Sequence, residues 1–184
     1  MKVPISSDDL GRYCEKAVQT GFTHAKPVRP ASVVTAPWVR LKCQFGCPGY
    51  GLSLCCPPNT PSHEETRKVL DAYQRAILFH LEVPKTPDRR KHVQKMMAGL
   101  VDLEGEVFMD DHYKAFVFVS GPCWLCNECA ITQGTPCNFG YRARPSMESC
   151  GIDVFQTARN NGLPIQALKE KTETQNKYCL MLVD

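Results

Sequence analysis

Two short cysteine-rich segments constrain the fold of this chain more than any other feature. The first has the pattern Cys-x3-Cys-x7-Cys-Cys between Cys43 and Cys56, and the second has Cys-x2-Cys-x2-Cys-x7-Cys between Cys123 and Cys137. Thiolates are soft anionic ligands, which bind zinc, copper(I) or iron–sulfur clusters in preference to hard cations. We therefore expect both segments to fold as metal-binding loops, at about residues 43–58 and 121–150.

The length and composition of the chain are those of an ordinary globular protein. A chain of 184 residues, of which 43% are hydrophobic, can bury a sizeable core, so we expect one metal-binding domain over residues 1–184. The net charge of +3 is too small to indicate a nucleic acid or a membrane surface as a partner. No apolar run approaches the roughly 18 residues that suggest a membrane span.

The N-terminal sequence and the cysteine content together predict a cytoplasmic protein. No apolar segment of the kind found in secretory signals follows Lys2. Thiols stay reduced in the cytoplasm, and clustered reduced cysteines indicate metal binding or catalysis rather than disulfides.

The order of helical and strand patterns predicts an α/β fold, in which helices flank one mixed sheet. The predicted helices begin at Ser6 or Ser7, at Ser62 with a capping box to Glu65, at Asp88 (to about Met109) and at Ser146 (to about Asn161). The predicted strands cover residues 33–35 with 38–42, then 77–83, 115–120, 164–168 and 178–183. The helix between the strands at 77–83 and 115–120 predicts a right-handed crossover and a parallel pair. Both cysteine loops then follow the carboxyl ends of strands, where open α/β sheets commonly bind ligands.

The second cysteine loop has the spacing of an iron–sulfur ligand set. Its candidate ligands are Cys123, Cys126, Cys129 and Cys137. Three thiolates at x2 spacing can wrap one face of a cube, as in bacterial-type ferredoxins, and backbone N–H groups in such a loop can turn toward the cluster. Zinc sites usually take two separated cysteine pairs, so the triplet favours a [4Fe–4S] cluster, with zinc as the alternative.

The first cysteine loop offers three thiolates and an uncertain fourth ligand. Cys43, Cys47 and one of the pair Cys55 and Cys56 would bind, because adjacent residues cannot easily face one small cluster. Cys150, Cys55, a histidine or an exogenous thiolate could supply the fourth ligand. We expect a second [4Fe–4S] cluster here, again with zinc as the alternative. If the fourth position stays open, the exposed iron would favour chemistry over electron relay.

The two loops, together with a segment that follows them, match the motifs of a known family. The motifs are Cys43-x3-Cys47, Cys56-Pro57-Pro58, Gly121-Pro122-Cys123-x2-Cys126-x2-Cys129 with Cys137, and Pro145-Ser146-Met147-Glu148. Over about residues 38–183, the chain resembles a family of small prokaryotic, cysteine-rich proteins that are predicted to bind metal and whose function is unknown. The resemblance implies Cys56 rather than Cys55 as the ligand, and it also implies a prokaryotic, anaerobic setting. It implies no particular reaction.

Electron transfer to a redox partner protein is the function that these patterns favour. One alternative is an enzyme that uses an open iron at the first loop, and another is a zinc-binding structural or interaction module. Outside the two loops, Cys14, Cys179 and His80 are expected in the core. Trp38 and Trp124 each flank a cysteine loop and are expected to shield the metal from water.

Overall fold

A four-stranded antiparallel sheet organises the protein. The structure is a computed structural model that describes residues 8–170 and 172–184. The strands are β1 (His24–Val28), β2 (Ala76–Val83), β3 (Phe116–Phe118) and β4 (Gln175–Leu182), in the order β1-β2-β4-β3. The helices are α1 (Asp8–Thr20), α2 (Pro37–Gly46), α3 (His63–Asp71), α4 (Arg89–Met109) and α5 (Val154–Asn160). The predicted cap at Ser6 or Ser7 lies outside the described residues.

Strand β4 lies between the two strands that were expected to pair with each other. β2 and β3 run in the same direction and are connected through α4, but each pairs antiparallel with β4. The prediction of a neighbouring parallel pair was therefore wrong, because β4 pairs with β2 over eight residues, from Ala76 opposite Leu182 to Val83 opposite Gln175, and is buried from Tyr178 to Leu182. Beyond β3, an isolated parallel bridge joins Val119 to Ser146. The α/β class, with helices around one sheet, is confirmed.

Both faces of the sheet are covered, since successive side chains of a strand point to opposite faces. On one face, Ile77, Phe79 and Met181 pack with residues of α1 and α4. On the other face, Leu78 and Leu180 pack with α3, with α5 and with the segment 147–152. Strand β2 is consequently buried along almost its entire length. The predicted core positions Cys14, Cys179 and His80 are all buried.

Residues 38–42 form part of helix α2, where a strand was predicted. Pro37 occupies the first turn of this helix, and its fixed φ angle suits that position, whereas it would interrupt a strand. Val39 faces the core, and Trp38 and Leu41 remain exposed. The first cysteine loop thus begins at the end of a helix, and only the second follows a strand.

Other predicted boundaries had mixed outcomes. The capping box of Ser62 and Glu65 is present, and α4 spans the predicted range. Residues 164–168 form no strand, and β1 was not predicted. The predicted helix from Ser146 to Asn161 is divided into a 3₁₀ turn, Glu148–Cys150, and helix α5. No helix in the described part of the chain is long and apolar enough to cross a membrane.

Candidate metal centre

The first thiol group consists of Cys43, Cys47 and Cys56. Cys43 lies in the last turn of α2, and the N–H of Cys47 donates to the Cys43 carbonyl at 3.3 Å. The N–H of Cys56 is held by the Ser53 carbonyl at 3.1 Å. Burial raises the pKa of both Cys43 and Cys56. The negative charge of Cys47 is the second cause and raises both pKa values further. The three sulfurs are thus close enough for their negative charges to repel, and a bound cation would relieve that repulsion.

The second thiol group consists of Cys123, Cys126, Cys129 and Cys137, which follow β3 in an irregular segment. Desolvation and then the charges of Cys123, Cys129 and Cys137 raise the pKa of Cys126. Cys137, the most distant of the four in sequence, therefore lies with the other three. The assignment of these four cysteines as the ligands of one cluster stays a prediction.

Cys55 and Cys123 bring the two loops into contact. The thiol of Cys55 is buried and lies against that of Cys123. The hydrogen bond with Cys55 lowers the pKa of Cys123 to about 6. Burial opposes this decrease, and the backbone N–H groups of Leu125 and Trp124 contribute to it. The same hydrogen bond raises the pKa of Cys55. Burial and the charges of Cys123 and Cys137 raise it further. The two thiols are thus joined by a hydrogen bond that shifts their pKa values in opposite directions.

The neighbouring cysteines Cys55 and Cys56 consequently belong to different groups. Burial has the largest effect on the pKa of Cys56, and among the other thiols Cys47 has the largest effect. The largest effect on the pKa of Cys55 comes from its hydrogen bond with Cys123. Sequence spacing indicated one ligand and one bystander at the first site. It did not indicate that the second cysteine of the pair would lie in the other loop's group.

Cys150 is the candidate ligand that the structure does not bring to the other thiols. It is fully buried in the hydrophobic cluster that contains Val33, Met147 and Ile152. Burial raises the pKa of Cys150 to about 12, and the charges acting on it come from Arg40 and Glu148 rather than from another cysteine. The first thiol group therefore keeps three cysteines in this structure.

Arg40 connects the elements that surround the first thiol group. From α2, its Nη1 atom donates to the carbonyl of Ser149 at 2.7 Å, to Oγ1 of Thr60 at 2.9 Å and to the carbonyl of Pro61 at 3.1 Å. Thr60 Oγ1 also donates to the Ser149 carbonyl at 2.6 Å. One guanidinium thus links the helix, the end of the first loop and the 3₁₀ turn that carries Glu148.

Gly151 allows that 3₁₀ turn to approach helix α3. Its φ angle is +76°, and an added Cβ would lie 2.7 Å from the Cβ of His63. Only glycine combines this left-handed conformation with so close a contact. The turn brings Glu148 beside Cys43, where its charge contributes to the raised pKa of that thiol.

A cavity of about 410 Å³ opens beside the first thiol group. Cys43, Cys47 and Glu148 line one part of it, and Asn176 and Lys177 of β4 line another. The carboxyl end of Glu148 is enclosed, although the residue as a whole is half-buried, and its Oε2 atom has no hydrogen-bond partner. Burial raises the pKa of Glu148. The sequence predicted capping and packing for Glu148, and contained no signal for this cavity.

The two tryptophans lie at two different cavities. Trp38 lines the cavity beside the first thiol group, with 45% of its surface exposed. Trp124 packs against the core and lines a second cavity of about 320 Å³, which reaches Cys123. Ser120, Gln175 and Lys177 line both cavities, so the two cavities adjoin.

The donor atoms of both groups are thiols, which suit a soft metal or cluster. Within residues 8–170 and 172–184, no three His, Cys, Asp or Glu side chains converge on a point as the ligands of one metal ion.

Comparison with known proteins identifies one family. The family model described as "Predicted metal-binding protein (DUF2284)" matches residues 26–183, a range that contains both thiol groups. No curated protein and no solved structure matches the chain. The predicted resemblance to a cysteine-rich, metal-binding family is confirmed.

Proposed function

We propose that this chain, which belongs to the DUF2284 family of predicted metal-binding proteins, is an iron–sulfur protein that transfers electrons to a redox partner. Cys123, Cys126, Cys129 and Cys137 would hold one [4Fe–4S] cluster. Cys43, Cys47 and Cys56 would hold the other. The observation that carries the proposal is the gathering of the thiols of two distant segments into adjacent groups.

The cysteine spacing of the second loop supports a cluster over a single zinc ion. Zinc sites usually take two separated cysteine pairs. Three cysteines at x2 spacing, Cys123, Cys126 and Cys129, are instead typical of [4Fe–4S] ligand loops. The described residues contain no three side chains that converge as the ligands of one ion.

The surroundings of the second thiol group suit a redox centre. When bound, the clusters would supply one-electron transfer. The N–H groups of Trp124 and Leu125 already point at the sulfur of Cys123, and hydrogen bonds to cluster sulfurs help set reduction potentials. The charge of Cys123 also acts on Cys56, so the two groups are close enough to interact. This closeness supports electron passage between them.

A second candidate function is catalysis at the first thiol group. Three cysteines form this group, Cys150 lies apart in the core, and the 410 Å³ cavity begins at Cys43 and Cys47. A ligand set of three thiolates leaves a position for an exogenous ligand, and the cavity provides space for one. We keep electron transfer as the principal proposal, since both thiol groups support it.

Metal analysis of the protein tests the proposal. The full chain would be purified without oxygen, and iron, zinc and acid-labile sulfide would be measured per chain together with visible absorption. Two cubanes predict about eight iron atoms with matching sulfide. One or two zinc ions without sulfide would replace this proposal with a zinc-binding module. About four iron atoms would mean that one thiol group holds something else.

A further inference from the structure

The cavity beside the first thiol group has the composition of a binding site for a small organic molecule. Its volume of about 410 Å³ lies within the range of ligand pockets, about 300–1,000 Å³. Aromatic and aliphatic side chains form much of its wall, among them Trp38, Ile152, Phe155 and Ile165. These side chains could cover the apolar body of a ligand.

Two lysines give the cavity a positive end. Lys42 of α2 and Lys177 of β4 both line it. Neither ammonium group has a carboxylate within ion-pair distance among the described residues. Two unpaired ammonium groups on different walls of one cavity are suited to a carboxylate.

Glu148 supplies a third polar group, and one of its oxygens lacks a partner. Its Oε2 atom is buried and makes no hydrogen bond. Lys177 is close enough to act on the charge of Glu148 but makes no ion pair with it. A buried polar atom without a partner is costly, and most such atoms in folded proteins are satisfied. A hydroxyl or amino group of a ligand in the cavity would satisfy this one.

We propose that the cavity binds a small hydroxy or amino acid with an apolar side chain. The ligand carboxylate contacts Lys42 and Lys177, its hydroxyl or amino group donates to Glu148, and its apolar part packs against Trp38 and Phe155. This inference deepens the catalytic candidate described above, because the ligand would lie beside Cys43 and Cys47. Its binding contacts are nevertheless all made by protein side chains.

The experiment uses the iron-loaded full chain and matched probes, with binding measured by titration calorimetry. The probes are 3-phenyllactate and phenylalanine. Two controls each lack one group: 3-phenylpropionate lacks the hydroxyl, and 3-phenylpropane-1,2-diol lacks the carboxylate. We expect the diol to bind at least about tenfold more weakly than 3-phenyllactate, since charge-assisted hydrogen bonds are the strong ones.

Variants assign the contacts. Lys42→Met and Lys177→Met should each weaken 3-phenyllactate binding about tenfold. Glu148→Met should make 3-phenyllactate and 3-phenylpropionate bind alike. Arg90→Met is the matched control, because Arg90 lines only the neighbouring cavity and makes no ion pair among the described residues. It should leave binding unchanged.

Three results would overturn the inference. The first is that neither 3-phenyllactate nor phenylalanine binds. The second is that the diol binds as tightly as 3-phenyllactate. The third is that Arg90→Met weakens binding as much as Lys42→Met. Iron measured in the same samples separates this inference from the proposed function. Iron retained without acid binding contradicts only the cavity assignment, and acid binding retained without iron contradicts only the iron–sulfur proposal.

Discussion

Cys55 and Cys56 are consecutive residues whose thiols face different thiol groups. Cys55 lies against Cys123, and Cys56 lies with Cys47 and Cys43. Both cysteines lie in a turn, in which the N–H of Cys56 donates to the Ser53 carbonyl at 3.1 Å, and this turn lets one short segment reach both groups. The peptide between the two cysteines is thus the shortest covalent connection between the candidate metal sites.

Substitution of the two cysteines should have different effects. Cys56→Ala removes a ligand of the first group, and we expect it to lose about four iron atoms per chain. Cys55→Ala should keep its iron, because four other cysteines remain at the second group. Iron and sulfide analysis of both variants checks this. If Cys55→Ala loses iron while Cys137→Ala retains it, Cys55 rather than Cys137 is the fourth ligand.

Cys126→Ala should remove the iron of the second group and leave the fold in place. The side chain lies in an irregular surface segment outside both hydrophobic clusters, so its loss costs little packing. Iron content and visible absorption report on the cluster, and circular dichroism reports on the fold. Cys14→Ala is the control: Cys14 lies in the core next to α4, and its loss should leave iron unchanged. Unaltered iron in Cys126→Ala would contradict the assignment of this loop.

Arg40→Met should destabilise the protein. The substitution removes the guanidinium that donates to the carbonyls of Ser149 and Pro61. The Ser149 carbonyl then keeps only the Thr60 hydroxyl as a donor, and the expected cost is about 2–3 kcal/mol in the free energy of unfolding. For a chain of this size the thermal midpoint should fall by about 4–9 °C. Arg40→Lys should recover only part of the loss, because an ammonium cannot reproduce the planar guanidinium contacts. Arg90→Met should change the midpoint little, and an equal effect of both substitutions would remove the special role of Arg40.

Stability should decrease as the pH falls below about 6.5, and His80 should contribute to this decrease. Burial lowers the pKa of His80, and the nearby His24 adds to this decrease. The hydrogen bond to Asn176 acts in the opposite direction. Its Nε2 atom contacts Asn176 Oδ1 at 2.8 Å and its Nδ1 contacts His24 Nδ1 at 2.9 Å. Neutral His80 therefore donates to Asn176 and accepts from His24, and a second proton would break the latter contact.

The sign follows from proton uptake. The unfolded chain binds the His80 proton below about pH 6.5, whereas the folded chain resists it, so protonation favours unfolding. Urea titrations between pH 5 and pH 7.5 should show a shallower pH dependence in His80→Gln than in the parent protein. His92→Gln, at an exposed position of α4, should retain the parental slope. A parental slope in His80→Gln would show that other groups cause the dependence.

Local sequence signals predicted the elements that depend on local interactions. The capping box at Ser62 and Glu65 and the length of α4 are examples, because their hydrogen bonds and apolar stripe lie within the element itself. Helix α2 was misassigned because Pro37 was interpreted as a break in a strand rather than as the first turn of a helix. The position of β4 between β2 and β3 depends on pairing across about a hundred residues, for which the sequence holds no local signal.

The candidate site also combines features that local sequence patterns predict with features that depend on long-range packing. Spacing alone defined the candidate ligands of the two thiol groups, and their role as ligands stays a prediction. The separation of Cys55 from Cys56, the contacts of Arg40 and the cavity lined by Glu148 arise from tertiary packing of segments that are distant in sequence. Cys150 illustrates the converse, since a cysteine near a metal-binding motif lies in the hydrophobic core instead.

The place of β4 in the sheet also determines when the thiols can assemble during synthesis. β4 follows both cysteine segments in the sequence, and it is the strand that joins β3 to the rest of the sheet. Until the ribosome has made β4, β3 lacks its partner strand, and the segment that carries Cys123 is not joined to the β1–β2 pair. The nascent chain therefore exposes unprotected thiols to oxidants and to competing metals for as long as the last strand is missing.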